Sequence, residues 1–297
     1  MDASDFLFVG DDLRIHSGSD AEVALRTMSD ARFVVAGEGI PRVPKARWLV
    51  AQRYEKTTWM EVGAHADDDR NHEHARHFDE YAALHRKTYA RALEVGCGPF
   101  TNLRLIANVC RIDACTLLDP LLNEYLHHRH CTYRHGFLET GATRWQDWLG
   151  RRAWGRYARA MLRRVQPRLL HTGVTIDARL AIPFEEMPAR EPYDLTVMIN
   201  VLEHCFDAPK IFARLLELSR PGAVLVFHDK LFRAHAVERQ AARRFDAGHP
   251  LRVDATLLRA FLFDHYRPLH ERYVEVEDGY AGVDLSEQGI YFIGERI

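Results

Sequence analysis

The chain has 297 residues, 47% of them hydrophobic, which is enough for one large α/β domain with additions. Its 40 basic and 42 acidic side chains nearly cancel, so the bulk charge gives no signal for a nucleic-acid or anionic membrane partner. The five cysteines lack the spacing of a disulfide framework or a zinc site. With an acidic N-terminus and no apolar run of membrane-spanning length, we expect a cytoplasmic protein with no membrane partner; the oligomeric state is left open.

Residues 1–88 are predicted to form a cap or lid region in front of a larger domain. Up to about residue 45, short apolar pieces alternate with turn residues. From about residue 46 the pattern becomes helical. Four residues at spacings of four, three and four share one side of this helix: Trp48, Gln52, Glu55 and Trp59. The polar residues on this side of the helix have two equally open explanations: the helix is a lid over a ligand, or they form a polar stripe between packed helices. A second helix, from about residue 73 to 89, is expected to pack on a core.

Residues 89–297 begin with a strand–turn–helix–strand unit. RALEVG (91–96) is a short apolar run that ends in glycine, a helical stretch starts at about Asn102, and CTLLD (115–119) is a second apolar run. YDLTVMIN (193–200) and AVLVFHD (223–229) are two further apolar runs, joined by a helix and an RPG break. Such alternation predicts a doubly wound, Rossmann-like α/β sheet that is mostly parallel.

Two segments add to this core. YVEVEDGY (273–280) and GIYFIGERI (289–297) predict a C-terminal antiparallel hairpin of half-exposed strands at one sheet edge. Residues 121–170 do not fit a single crossover helix and contain tryptophans among several arginines. We interpret them as an amphipathic helical insertion with inward tryptophans and solvated arginines.

The motif LEVGCGPFT (93–101) carries the clearest chemical signal. Glycines after a strand allow a sharp turn and a close approach of a ligand to the backbone. Asp119, at the end of the next strand, can accept hydrogen bonds from both ribose hydroxyls of an adenosine ligand. A dinucleotide site would need glycine where Thr101 stands, and Glu94 would face a diphosphate unfavourably. A cationic sulfonium beside Glu94 is favourable, so the charges indicate S-adenosylmethionine (SAM).

Residues 91–120 and 193–229 resemble the class I SAM-dependent methyltransferases. ALEVGCGPFT is similar to their first motif, LLDP to their acidic second-strand motif, and residues 193–229 to their fourth and fifth strands. The resemblance covers about half the chain. It departs at Phe100, which replaces the usual third glycine and whose bulk is expected to narrow the space beside the cofactor.

The resemblance implies a set of cofactor-binding residues. The turn would line the methionine end of SAM, Asp119 would hold the ribose, Asn200 and Val201 would border the transferable methyl group, and Glu185 or Glu186 would contact the adenine. The residues assigned to the cofactor are Glu94, Gly96, Cys97, Gly98, Asp119, Pro120, Glu185, Asn200 and Val201. Gln52, Glu55 and Trp59 are assigned to the lid or substrate.

The predicted function is in-line methyl transfer to an oxygen or nitrogen atom of a small molecule. His204, His228 and Asp229 are the catalytic candidates because they close the fourth- and fifth-strand motifs. Two alternatives remain: a SAM-consuming cyclase that forms azetidine-2-carboxylate and releases methylthioadenosine, and a non-catalytic SAM-binding module. No metal is expected, since HHRH (127–130) and NHEHARH (71–77) lack the converging ligands of a metal site.

Overall fold

The computed structural model describes residues 6–9, 12–15, 39–40, 42–60, 69–140, 161–162, 164–232, 248–274 and 286–297. Most of the tryptophan- and arginine-rich part of the predicted insertion, residues 141–160, lies outside these ranges. None of the helices within them is long and apolar enough to cross a membrane.

Twelve strands and six α-helices form the described part of the chain. The strands are β1 (Phe6–Val9), β2 (Asp12–Ile15), β3 (Gly39–Ile40), β4 (Thr88–Val95), β5 (Arg111–Leu118), β6 (Phe137–Glu139), β7 (His171–Leu180), β8 (Tyr193–Ile199), β9 (Ser219–Phe232), β10 (Arg252–Val253), β11 (Tyr266–Val274) and β12 (Ser286–Arg296). The helices are α1 (Lys45–Met60), α2 (Asp69–His77), α3 (Leu103–Ile106), α4 (Leu122–Tyr125), α5 (Ala208–Glu217) and α6 (Ala255–His265). Short 3₁₀ turns include Asp79–Leu84, Pro167–Leu170, Phe184–Glu186 and Leu202–His204.

Eight strands form one mixed sheet in the order β11-β12-β9-β8-β4-β5-β7-β6. The five strands from β9 to β7 are parallel to one another, whereas β12 and β6 run antiparallel to their neighbours. Every residue of β8 is buried, because this strand lies in the middle of the sheet and apolar side chains cover both faces. The predicted fold, a mostly parallel Rossmann-like sheet with a C-terminal antiparallel hairpin, is confirmed.

The hairpin lies at one sheet edge, as predicted, but its first strand already begins at Tyr266 and its exposure differs. β12 lies between β9 and β11, and its residues Ile290–Ile293 are all buried. The consecutive apolar run Ile-Tyr-Phe-Ile is typical of a strand covered on both faces, and this signal outweighs the alternation of the polar residues around it. The edge strand is β11, where polar residues are exposed.

The second predicted helix is shorter than expected. α2 ends at His77, because Asp79, Glu80 and Tyr81 adopt left-handed backbone angles that a helix cannot continue through. The expected packing stripe persists through the 3₁₀ turn Asp79–Leu84, where Tyr81 and Leu84 are fully buried. The predicted RPG break also differs: β9 already starts at Ser219 and passes through a bulge at this point.

Strand pairing connects the N-terminal region to the C-terminal half. β3 pairs antiparallel with β10, and β1 pairs with β2 in a separate hairpin. In the region predicted as a helical insertion, the described residues form α4, turns and β6, and helix is present again at residues 161–162 and 164–165. β7, which the sequence could not register, pairs in parallel with β5.

Candidate functional site

A cavity of about 590 Å³ lies at the carboxyl ends of β4, β5 and β8, beneath α1. This is the edge at which open α/β sheets bind ligands, and the volume is in the roughly 300–1,000 Å³ range of small-molecule sites. Twelve residues assigned from sequence contribute to its wall: Gln52, Glu55, Trp59, Gly96, Cys97, Gly98, Asp119, Pro120, Glu185, Asn200, Val201 and His204.

The glycine turn after β4 forms the floor of the cavity. Gly96 and Gly98 both have left-handed backbone angles, with φ of 65° and 51°. A Cβ atom on Gly96 would lie 2.4 Å from Cγ2 of Val201, whereas one on Gly98 would meet nothing within 4 Å. Glycine is therefore required at position 96, because the turn after β4 closely approaches the turn after β8 there. At position 98, glycine exposes its backbone to the cavity.

Glu94 supports this turn from behind. Its carboxylate accepts hydrogen bonds from the Thr101 hydroxyl, from the Asn102 backbone at 2.7 Å and from the Asn102 side-chain amide at 3.2 Å. Burial raises the pKa of Glu94 to about 7, although these hydrogen bonds favour its charged form. Glu94 is 1% exposed, and the cavity wall formed by the described residues does not include it.

Asp119 connects the turn to the end of β5. Its Oδ2 accepts from the backbone N–H of Gly98 at 3.0 Å, and its Oδ1 accepts from that of Leu121 at 2.8 Å. Each oxygen keeps a lone pair for a further donor. Burial raises the pKa of Asp119 to about 6, against the two backbone hydrogen bonds. Asp119 lines the cavity, in the position where it could accept hydrogen bonds from ribose hydroxyls.

Phe100 contributes to the cavity wall. Its ring also makes edge contacts with Trp59 at 6.1 Å and with His128 at 5.4 Å, and only 5% of the residue is exposed. Its bulk therefore packs between α1 and the residues after α4 as well as beside the cavity. Cys97 is buried beside Tyr133, and burial raises the pKa of its thiol.

The two acids of the PFEEMP segment have different surroundings. Glu185 is 1% exposed, lines the cavity, and accepts from the backbone N–H groups of Phe206 and Asp207 at 2.7 and 3.2 Å. Burial raises its pKa. Glu186 instead pairs with Lys45 at the surface.

The residues after β8 face the cofactor turn. Asn200 has a left-handed φ of 57°, and its backbone N–H donates to the His228 carbonyl at 2.8 Å. This conformation ends the strand and turns the chain into the 3₁₀ segment Leu202–His204. Val201 follows, with its side chain against Gly96.

His228 and Asp229 lie away from the cavity wall. The His228 ring stacks on Tyr291 at 3.9 Å, and its Nδ1 lies 3.0 Å from the Ile290 carbonyl, to which it must donate. Burial lowers the pKa of His228 to about 4. Asp229 accepts from the backbone N–H groups of Leu202 and Lys230 at 2.7 and 2.8 Å, so its oxygens hold the turn that carries His204.

His204 belongs to a cluster of charged and histidine side chains. Its Nδ1 lies 3.2 Å from the Gly248 carbonyl and 3.6 Å from Oε1 of Glu55, and its ring lies 4.7 Å from that of His249. Burial lowers the pKa of His204. Although burial alone would raise it, the pKa of the neighbouring Glu203 is held well below its usual range by His249 and Lys230.

α1 forms the part of the cavity wall next to this cluster. The Trp48 indole N–H and the Gln52 amide both donate to the His204 carbonyl, at 3.0 and 3.2 Å. Oε2 of Glu55 accepts from the Trp59 indole at 3.1 Å. The polar side of the helix thus docks on the turn after β8.

Several wall residues carry no role in the sequence interpretation. They include the cations Arg70 and Lys230 and the polar residues Asn71, His74 and Glu203. Lys230 pairs with both oxygens of Glu203, at 3.0 and 3.2 Å. Lys230 directly follows His228 and Asp229 in the fifth-strand motif, and this position in the sequence could have identified it as a residue of the site. Arg70, Asn71 and His74 come from α2, whose packing only the fold reveals.

A family model for a methyltransferase domain matches residues 66–264, more than half of the chain. The chain belongs to this methyltransferase family. It is therefore a SAM-dependent transferase, and its cofactor is S-adenosylmethionine. The match spans the glycine turn, Asp119 and the residues after β8 and β9.

A search of solved structures finds methyltransferases that are similar to the chain at low identity. The chain is similar to the N-methyltransferase NodS from Bradyrhizobium japonicum WM9 bound to S-adenosylhomocysteine (14% identity, 83% of this chain, 98% of that chain, TM-score 0.47). It is also similar to 1,6-didemethyltoxoflavin-N1-methyltransferase from Burkholderia thailandensis (15% identity, 88% and 94% coverage, TM-score 0.43). No curated protein matches the chain.

Proposed function

We propose that this methyltransferase transfers the SAM methyl group in line to an oxygen or nitrogen atom of a small molecule. One observation carries the proposal: a single cavity of about 590 Å³ has the cofactor turn on one wall and the His204 cluster on another, with α1 above both. Methyl transfer from a sulfonium mainly requires that nucleophile, carbon and sulfur be held in line and kept from water.

The cofactor has a complementary place on the turn side. Gly96 and Gly98 offer backbone to the methionine end, Asp119 offers lone pairs to the ribose, and Glu185 lies where it would contact the adenine. The methyl group would then point toward Asn200 and Val201. Glu94 acts in this scheme by fixing the turn and by placing negative charge near the sulfonium.

A small acceptor is favoured by the space and its cover. The cavity must hold the cofactor as well as the acceptor, and α1 forms part of its wall, with Trp48 and Gln52 bonded to the His204 carbonyl. We extend the proposal to the N-terminal region: residues 1–88 act as a cap on a SAM-binding domain of residues 89–297.

Removal of the acceptor proton is assigned to the His204 side of the cavity. His204, Glu55 and His249 all line it, and burial keeps the His204 pKa low enough for a neutral ring at neutral pH. Asp229 acts as a positioning residue, because it accepts from the Leu202 backbone N–H in the turn that carries His204. His228 acts as a positioning residue through its stacking on Tyr291 and its hydrogen bond to the Ile290 carbonyl.

Product analysis tests this function against its alternatives. The protein is incubated with SAM and a panel of small alcohols, phenols and amines, and the nucleoside products are separated. We expect S-adenosylhomocysteine and a methylated acceptor, and Asp119→Ala should lower the yield of both at limiting SAM. Methylthioadenosine formed without any acceptor would support cyclisation instead. Tight SAM binding without turnover across the panel would support a non-catalytic module.

A further inference from the structure

Three potential metal ligands converge on one point of the cavity wall. Glu55 comes from α1, His204 from the turn after β8, and His249 from the loop before β10. One ligand atom from each side chain lies within 4.8 Å of the other two, and all three residues are partly buried. They are far apart in sequence, so the fold alone brings them together.

The donor set is chemically suited to a transition metal. Two imidazoles and one carboxylate are the protein ligands of many catalytic zinc and non-haem iron sites, which keep open positions for water or substrate. Here the open side is the cavity itself, which all three residues line.

Each of the three side chains also has an outer partner. The Trp59 indole donates to Oε2 of Glu55 at 3.1 Å, leaving Oε1 for another contact. The Gly248 carbonyl lies 3.2 Å from Nδ1 of His204. Glu203 Oε1 lies 3.6 Å from Nε2 of His249. For His249, a carboxylate on one ring nitrogen is the arrangement that orients metal-binding histidines. Nδ1 of His204 faces both the Gly248 carbonyl and Oε1 of Glu55.

The local charge permits a divalent cation. Lys230 pairs with both oxygens of Glu203, and the buried Arg252 guanidinium donates to the His249 carbonyl. Glu55 contributes a carboxylate of its own. The two carboxylates of Glu55 and Glu203 thus balance the two cations Lys230 and Arg252, and no excess positive charge opposes the ion.

We propose that Glu55, His204 and His249 bind a divalent transition-metal ion such as Zn²⁺ that coordinates a hydroxyl oxygen of the acceptor. This proposal rests on the proposed methyl transfer and names its substrate class as an alcohol or phenol. Coordination lowers the pKa of the hydroxyl, which loses its proton to water, so that in the metal-bound enzyme His204 acts as an ion ligand and not as the base. The oxygen then forms a bond to the methyl carbon, the carbon–sulfur bond breaks, and sulfur keeps the electron pair as neutral S-adenosylhomocysteine.

Metal binding is measured directly on the full chain. Protein treated with EDTA and dialysed is titrated with Zn²⁺ alone by calorimetry, and the Co²⁺ form is examined by visible absorption. We expect one tight site per chain and tetrahedral or five-coordinate Co²⁺ bands that change on addition of a phenol. His249→Asn and Glu55→Gln should each weaken Zn²⁺ binding at least tenfold. His85→Asn, which changes an exposed histidine, should leave it unchanged.

The outcomes separate this proposal from the proposed function. Absence of a stoichiometric Zn²⁺ site, or equal Zn²⁺ affinity in both cluster variants and wild type, overturns the metal site. If such a protein still converts SAM to S-adenosylhomocysteine with an acceptor, methyl transfer stands without the ion. Using two variants on different elements guards against one of them failing to fold, which circular dichroism checks.

Discussion

Asp119 is the residue on which the cofactor site depends most, because its two oxygens hold backbone amides from two different loops. Its pKa, raised to about 6 by burial, lies close to the working range of an enzyme. The ionised carboxylate accepts from ribose hydroxyls, whereas the protonated form loses part of that capacity. The charge state of one side chain should therefore control cofactor affinity.

The affinity for S-adenosylhomocysteine should increase from pH 5 to pH 7 and level off above. At pH 5 only roughly a tenth of a group with a pKa near 6 is ionised, so the gain is up to about tenfold. Calorimetric titrations at pH 5, 6 and 7 measure it. Asp119→Asn removes the titrating group and should bind weakly with a flat profile. A wild-type profile without slope contradicts the assignment.

Gly96 and Gly98 form a matched pair for testing the turn. Alanine at position 96 meets Val201 at 2.4 Å and adopts a left-handed backbone, so we expect a loss of about 2–4 kcal/mol in the free energy of unfolding. Alanine at position 98 has open space and should cost only about 1 kcal/mol of backbone strain. Urea unfolding of both variants measures the difference, and equal losses would show that the contact with Val201 is unimportant.

At the scale of elements, α1 is attached to the site by two hydrogen bonds to a single carbonyl, that of His204. Trp48 also packs edge-on against Phe206 at 5.3 Å. The helix thereby connects the cap to the turn that carries the proposed chemistry, and disturbing it should affect both stability and binding.

Trp48→Phe keeps an aromatic ring and removes the indole donor. We expect about 1–2 kcal/mol of destabilisation, since a hydrogen bond and part of the packing are lost, together with a weaker affinity for SAM. Thermal unfolding and calorimetry measure the two effects. Leu49→Ala is the control, because Leu49 lies on the same helix and is 55% exposed. Similar losses in both variants would indicate a general effect on the helix and not on its docking.

The elements were predictable from sequence where the signal was local. The runs 91–96, 115–119, 193–200 and 223–229 all became strands, because short apolar runs bounded by glycine or charge fit a buried parallel sheet. The glycine turn and Asp119 were predictable because each lies directly at the end of such an apolar run. Helix ends were not predictable in this way. α2 stops before residues 79–81, whose left-handed backbone angles could not be predicted from their side chains.

At the scale of the whole molecule, the mostly parallel sheet was predicted from the alternating apolar runs, whereas the convergence of distant side chains was not. Glu55, His204 and His249 are separated by 149 and 45 positions in the chain, and no spacing rule connects them. The histidine pairs visible in sequence, at 71–77 and 127–130, are not the ones that meet. Similarly, His228 was expected to close the fifth strand, whereas β9 continues to Phe232 and the His228 ring stacks on Tyr291.

The central claim is that the glycine turn and Asp119 together bind the adenosyl cofactor, and calorimetric titration with S-adenosylhomocysteine tests it most directly. We predict one site per chain in the wild type and an affinity at least tenfold lower in Asp119→Ala, with both proteins equally folded by circular dichroism. Absence of binding to the wild type, or equal affinity in the variant, would contradict the claim.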